Sequence, residues 1–160
     1  MATTISGTAG VTFPAGGVGN PAGAVVGTTD TQTLTNKTLT SSGSVLVSVA
    51  SSTLGYATGA GGAVTQLTSR TTGVTLNTST GAVTMFSAAG SATAATFTVT
   101  NSVVAATDNI IVNQKSGTNL YVLLVTAVTA GTFNITFYTT GGTATDAPVI
   151  NFSVIKGVAA

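Results

Sequence analysis

The sequence predicts an all-β fold: an antiparallel jelly-roll-like β-sandwich head, preceded by an extended N-terminal arm and a short stem. Three observations carry this expectation. Residues 94–100, 132–138 and 150–155 alternate apolar and polar side chains at period two, the mark of a half-buried strand. No segment repeats its apolar residues at the 3.6-residue spacing of an amphipathic helix. Turn-forming Gly, Asn, Asp and Ser interrupt the apolar runs at the short intervals of a sandwich or barrel.

Residues 1–27 are rich in Gly and Ala and contain Pro14 and Pro21. The stretch GVTFP, with Val11 and Phe13 before Pro14, holds the bulky apolar side chains of the first fourteen positions apart from Met1 and Ile5. The zone has too little apolar area to fold alone and reads as an extended arm. Residues 28–62 contain TTDTQTLTNKTLT, a short apolar run at Val45–Val49, and glycines at 59, 61 and 62 that read as a flexible joint. Residues 63–160 read as the head. Strands are expected at Val64–Leu67, Val74–Asn77, Ala82–Phe86, Ala94–Thr100, Ile110–Gln114, Leu120–Val128, Thr132–Tyr138 and Ile150–Ile155. Phe97, Val99, Phe133, Ile135, Phe137, Ile150, Phe152 and Val154 should point inward. Leu120–Val128 is apolar on both faces, as in a central strand, and Val128–Gly131 should turn it into a hairpin with the next. Asn113–Gly117, NQKSG, reads as another hairpin turn.

Charged residues make up 4 % of the chain, against roughly 25 % in an ordinary domain. The net charge of +1 creates no field that would draw nucleic acid or an anionic membrane. Such near-neutral chains associate rather than repel. The absence of Cys removes disulfides and thiolate zinc sites. MATTISGTAG lacks the basic and apolar regions of a secretory signal. The longest apolar stretch, Leu120–Val128, is far shorter than the roughly 20 residues of a membrane helix.

Catalytic chemistry finds few candidates. There is no His or Glu. Asp30, Asp108 and Asp146 are far apart in sequence, and the surroundings ATDN and ATDAP read as turns. A Ser–Lys pair using Lys115 or Lys156 stays open, although both lysines suit solvated strand ends. The carboxylates form no calcium-type cluster, and GAGG at 59–62 lacks the Lys-Ser/Thr of a phosphate loop. The expectation is a protein that is not an enzyme and takes no cofactor or metal. Tyr56, Tyr121 and Tyr138 are available for sugar stacking, but tyrosines on strands more often pack.

TLT occurs twice in the opening stretch, placing Leu34 and Leu39 five residues apart. Such isolated leucines cannot form a core within one molecule. Three chains around an axis would bury both, with Thr bonding between neighbours. A solvated linker is the equal alternative.

GTTDTQTLTNKTLT (Gly27 to Thr40) resembles a segment common in structural proteins of tailed bacteriophages, and ISGTAGVTFP (Ile5 to Pro14) resembles their N-termini. Leu54–Met85, Phe97–Asn113 and Val149–Ala160 resemble a phage capsid-decoration or head-fibre family. The resemblance implies a homotrimer on the capsid exterior, assembled in the host cytoplasm, whose partner is the major capsid protein. Val11, Phe13 and Pro14 would dock on the capsid, and Leu34 and Leu39 would form the trimer stem. The alternative is a tail-fibre or adhesin-like receptor binder whose partner is a host-surface glycan.

Overall fold

The computed structural model describes residues 55–158. These residues form ten strands and no helix: β1 (Gly61–Thr65), β2 (Val74–Thr75), β3 (Thr80–Thr84), β4 (Ala88–Ala89), β5 (Ala95–Thr100), β6 (Asn109–Ser116), β7 (Tyr121–Thr129), β8 (Thr132–Thr139), β9 (Thr145–Asp146) and β10 (Val149–Ile155). Two four-stranded sheets, ordered β1-β3-β10-β6 and β2-β5-β8-β7, are joined by a small β4-β9 ladder. The arrangement is all-β and sandwich-like. The chain crosses directly between the large sheets from β1 to β2, β2 to β3, β5 to β6 and β6 to β7, passes through the small ladder at β4 and β9, and forms a hairpin within one sheet at β7–β8.

The alternating segments form strands because one face of each supplies the common core. On β5 Phe97 and Val99 are buried, on β8 Phe133, Ile135 and Phe137, and on β10 Ile150, Phe152 and Val154. Their Thr, Asn and Ser neighbours point the other way, as the pleat requires. The two sheets meet where the rings of Phe133 and Phe152 pack edge to face at 5.2 Å. Phe97 and Phe137 lie 6.0 Å apart beside them. Leu76 and Phe152 fill the space where a side chain at position 81 would stand, so Gly81 lets β3 approach them. The β7–β8 turn needs Gly131, whose φ is +82°.

Several sequence expectations are corrected. The β1–β3 and β2–β5 pairings are parallel, so the sheets are mixed rather than antiparallel throughout. Gly61 and Gly62 belong to β1, in register with Thr80 and Gly81, and are not a loose joint. Asn113–Ser116 continues β6, and the following residues lead across to the other sheet, so no hairpin joins β6 to β7. β7 stands at a sheet edge rather than at its centre, and its ladder with β8 is interrupted between Val125 and Ala127. Two-residue strands such as β4 and β9 leave no periodic trace in a sequence.

Candidate functional site

Five charged residues fall within the described range: Arg70, Asp108, Lys115, Asp146 and Lys156. Four of them form two ion pairs, Arg70 with Asp146 and Lys156 with Asp108.

The Arg70–Asp146 pair is the centre of a buried polar network. Asp146 ends β9, and Arg70 comes from the loop after β1. Asp146 Oδ1 accepts from Arg70 Nη2 at 2.8 Å, from Tyr121 Oη at 2.7 Å and from Asn119 Nδ2 at 3.2 Å. Its Oδ2 accepts from the backbone amides of Thr118 and Asn119 at 2.8 and 3.1 Å. Arg70 also donates to the carbonyls of Phe86, Ala88, Ala89 and Asp146, which ties its loop to the β4–β9 ladder. Its guanidinium carbon lies 5.4 Å from the centre of the Tyr121 ring, a cation–π distance. Gln66 holds the Arg70 loop by donating to the carbonyls of Arg70 and Thr72. Gln114 accepts from the Tyr121 amide and donates to the Asn119 carbonyl, which fixes the β6–β7 connection.

Burial raises the Asp146 carboxyl, but the bonds from Tyr121, Asn119, Thr118 and Arg70 outweigh it and hold the group below its ordinary value. Tyr121 is pushed above the ordinary phenol value by burial and by its bond to the Asp146 carboxylate. A carboxylate has about four lone-pair sites, and Asp146 receives five donors, so it has no acceptor capacity left for abstracting a proton.

Asp108 forms a second anchor. It accepts from the Ala105 amide at 2.8 Å, the Gly157 amide at 3.1 Å and the Lys156 ammonium. The Ala105 bond, then the Lys156 bond, lead in holding its carboxyl below the ordinary value. Lys156 also reaches the Val103 carbonyl, and Thr107 donates to the Gly157 carbonyl. The group therefore fastens the chain after β10 to the loop before β6.

Asp108 lies in the turn expected of it, whereas Asp146 belongs to a strand bridge. Lys115 is exposed on β6 and Lys156 is paired. Arg70, Asn119 and Gln66 were not singled out from the sequence. The usable signal was that Arg70 is the chain's single Arg, a residue suited to bidentate, buried pairing. Tyr121 is buried beneath Arg70 and presents no open ring for sugar stacking. Tyr56 is about half exposed, and its hydroxyl donates to the Val154 carbonyl. The positions named for capsid docking, Val11, Phe13 and Pro14, and for the stem, Leu34 and Leu39, lie outside the described residues.

A cavity of about 260 Å³ adjoins the Asp146 network, bounded by Arg70, Ser91, Thr93, Ala95, Tyr121 and Phe137. Among the described residues no group of His, Cys, Asp and Glu is arranged to hold a metal ion. In comparisons with protein-family models, curated proteins and solved structures, nothing matched the chain.

Proposed function

We propose that the chain is a virion structural protein of a tailed bacteriophage, carried on the capsid exterior as a decoration, cement or head-fibre protein. In this reading it is a homotrimer assembled in the host cytoplasm, with a jelly-roll-like head, and the major capsid protein is its partner. Residues 1–27 are the attachment arm, with Val11, Phe13 and Pro14 as its anchors. Residues 28–50 are the stem, with Leu34 and Leu39 on the trimer axis.

The observation that carries the reading is how the buried carboxylates are used. Asp108 and Asp146 are both committed to fastening loops and strand ends. That suits a protein whose work is mechanical, and it agrees with the resemblance of Leu54–Met85 and Val149–Ala160 to decoration proteins. Many weak attachments at symmetric sites add up through multivalency, and apolar burial contributes about 25 cal/mol per Å² before the costs of association.

The test is to mix the chain with undecorated capsids of the phage that encodes it. The full chain should sediment with the capsids in saturable amounts, and a variant lacking residues 1–20 should stay in solution. Undiminished binding of the truncated variant would remove the docking role of the arm.

A host-glycan receptor role is the second reading. The cavity is the feature that favours it, because Ser91 and Thr93 in its lining offer hydroxyls that can bond a sugar. Specific binding on a glycan array, with no affinity for capsids, would replace the capsid reading with this one.

A further inference from the structure

The cavity beside the Asp146 network is lined by polar groups that the fold has not spent. The Arg70 side chain is 10 % exposed and carries five N–H donors. Its Nε bonds the Phe86 carbonyl, and its Nη2 faces the carbonyls of Ala88 and Asp146 and the Asp146 carboxylate. Nη1 has two hydrogens and, among the described residues, one acceptor, the Ala89 carbonyl at 3.3 Å. Among those residues a second Nη1 hydrogen is therefore left at the cavity that Arg70 lines. Ser91 Oγ accepts from the Thr93 amide at 3.1 Å and keeps its own hydrogen to donate. The Thr93 hydroxyl bonds no other described side chain or backbone group, so it has both a donor and an acceptor to offer.

The wall that presents these groups is fixed in advance. The Thr139 amide donates to the Ser91 carbonyl at 2.8 Å, and the Gly90 amide donates to the Ala144 carbonyl at 3.2 Å. Arg70 holds the carbonyls just before them. A wall ordered by the fold leaves less ordering cost for a ligand. The remaining lining is apolar: Ala89, Ala94, Ala95 and Phe137. Tyr121 lies beneath Arg70 and offers no open ring face. The site therefore suits a small substituent with a methyl group and a hydrogen-bond acceptor, not the flat face of a sugar ring.

Charge and size narrow the ligand. The Arg70 charge is balanced by Asp146 at 2.8 Å, so little net attraction remains for an anion. No carboxylate lines the cavity, so nothing draws a cation. Its volume of about 260 Å³ lies below the roughly 300 Å³ at which drug-sized sites begin. One small residue fits, and a chain does not. The position is also favourable. The strand register puts Gly61, Thr80 and Ser153 at one end of their sheet, and Thr65, Thr84 and Val149 at the other. The described chain enters beside Gly61 and leaves after Ile155 at that same first end. Arg70 follows β1 and Asp146 precedes β10, so the cavity stands at the opposite end.

We propose that this cavity binds the acetamido group of an N-acetylated amino sugar. The acetamido carbonyl accepts from Arg70 Nη1, its N–H donates to the Thr93 hydroxyl, and its methyl rests on Ala89, Ala94, Ala95 and Phe137. Ser91 donates to a neighbouring sugar hydroxyl. A plain hexose meets the same hydroxyls but leaves the apolar wall uncovered, and a site that loses both a hydrogen bond and a methyl contact discriminates strongly. The inference rests on the host-glycan reading and names its sugar class. It leaves the capsid reading untouched, because attachment through residues 1–27 uses other residues.

The test titrates the full, isotope-labelled chain with the methyl glycosides of N-acetylglucosamine, N-acetylgalactosamine and glucose. The readout is the magnetic resonance shifts of the amides of residues 89–95 and of the Arg70 Nε–H. At least one acetylated sugar should shift these signals saturably at millimolar concentration, about tenfold or more tighter than glucose. Ala94→Phe fills the cavity from an exposed position and should abolish the shifts. If near-ultraviolet dichroism shows that variant unfolded, Thr93→Ala decides, with binding weakened about twofold to tenfold. Equal binding of glucose, the absence of shifts at these residues, or undiminished binding by the folded variant would overturn the proposal. A glycan that bound the chain without moving these signals would end this site and leave the host-glycan reading standing. A glycan array without any bound sugar would end both.

Discussion

Asp146 receives hydrogen bonds from three side chains and two backbone amides, so its removal should be felt well beyond β9. Asp146→Asn leaves the Arg70 guanidinium buried without its counter-charge and should destabilise the head by about 3–5 kcal/mol. Tyr121→Phe removes one donor and should cost about 1–3 kcal/mol. Urea denaturation of both variants measures the difference. The same groups set the pH dependence. Asp146 and Asp108 are held below their ordinary values. Their stabilisation is complete above the unfolded carboxylate value of about 4 and is lost as pH falls through the lower folded values. Tyr121 is raised, so its contribution is complete below about pH 10 and is lost as pH rises through the folded value. With no His in the chain, unfolding free energy should be flat from about pH 5 to about pH 9. A marked slope near neutrality would contradict this assignment. The turn at Asp108 was legible because Asp in such a context favours local bonding. The role of Arg70 was not, because its partners come from β4, β9 and the loop after β3, far away in sequence.

The strands with a single buried face were the most legible elements. In β5, β8 and β10 period two maps directly onto the buried pattern. β1 begins three residues and ends two residues before the expected strand, because glycine carries no pattern and the pairing with β3 defines it instead. Sheet membership was not legible. The NQKSG stretch has turn chemistry, but Gln114 spends its amide on Tyr121 and Asn119 across the crossing from one sheet to the other. Two predictions belong at this scale. Gly131→Ala should cost about 1–2 kcal/mol, because φ is +82° there. Chemical denaturation would detect it, and an unchanged midpoint would show that the turn does not need glycine. Phe133→Ala and Phe152→Ala should each cost about 3–5 kcal/mol. Their double-mutant cycle should return a coupling of about 0.5–1.5 kcal/mol, and strict additivity would mean that the ring contact adds nothing beyond burial.

For the whole molecule, the decisive feature is how little charge it carries and where that charge goes. Among the described residues the acidic groups are paired inside the fold, and one complete sheet is neutral. Such a chain is suited to being one part of an assembly. The proposed stem and arm add the means of joining copies to each other and to a shell. Sedimentation equilibrium of the purified full chain at micromolar concentration tests this most directly. The account predicts a species of three times the 15.5 kDa chain mass, and a stable monomer at that concentration would contradict it.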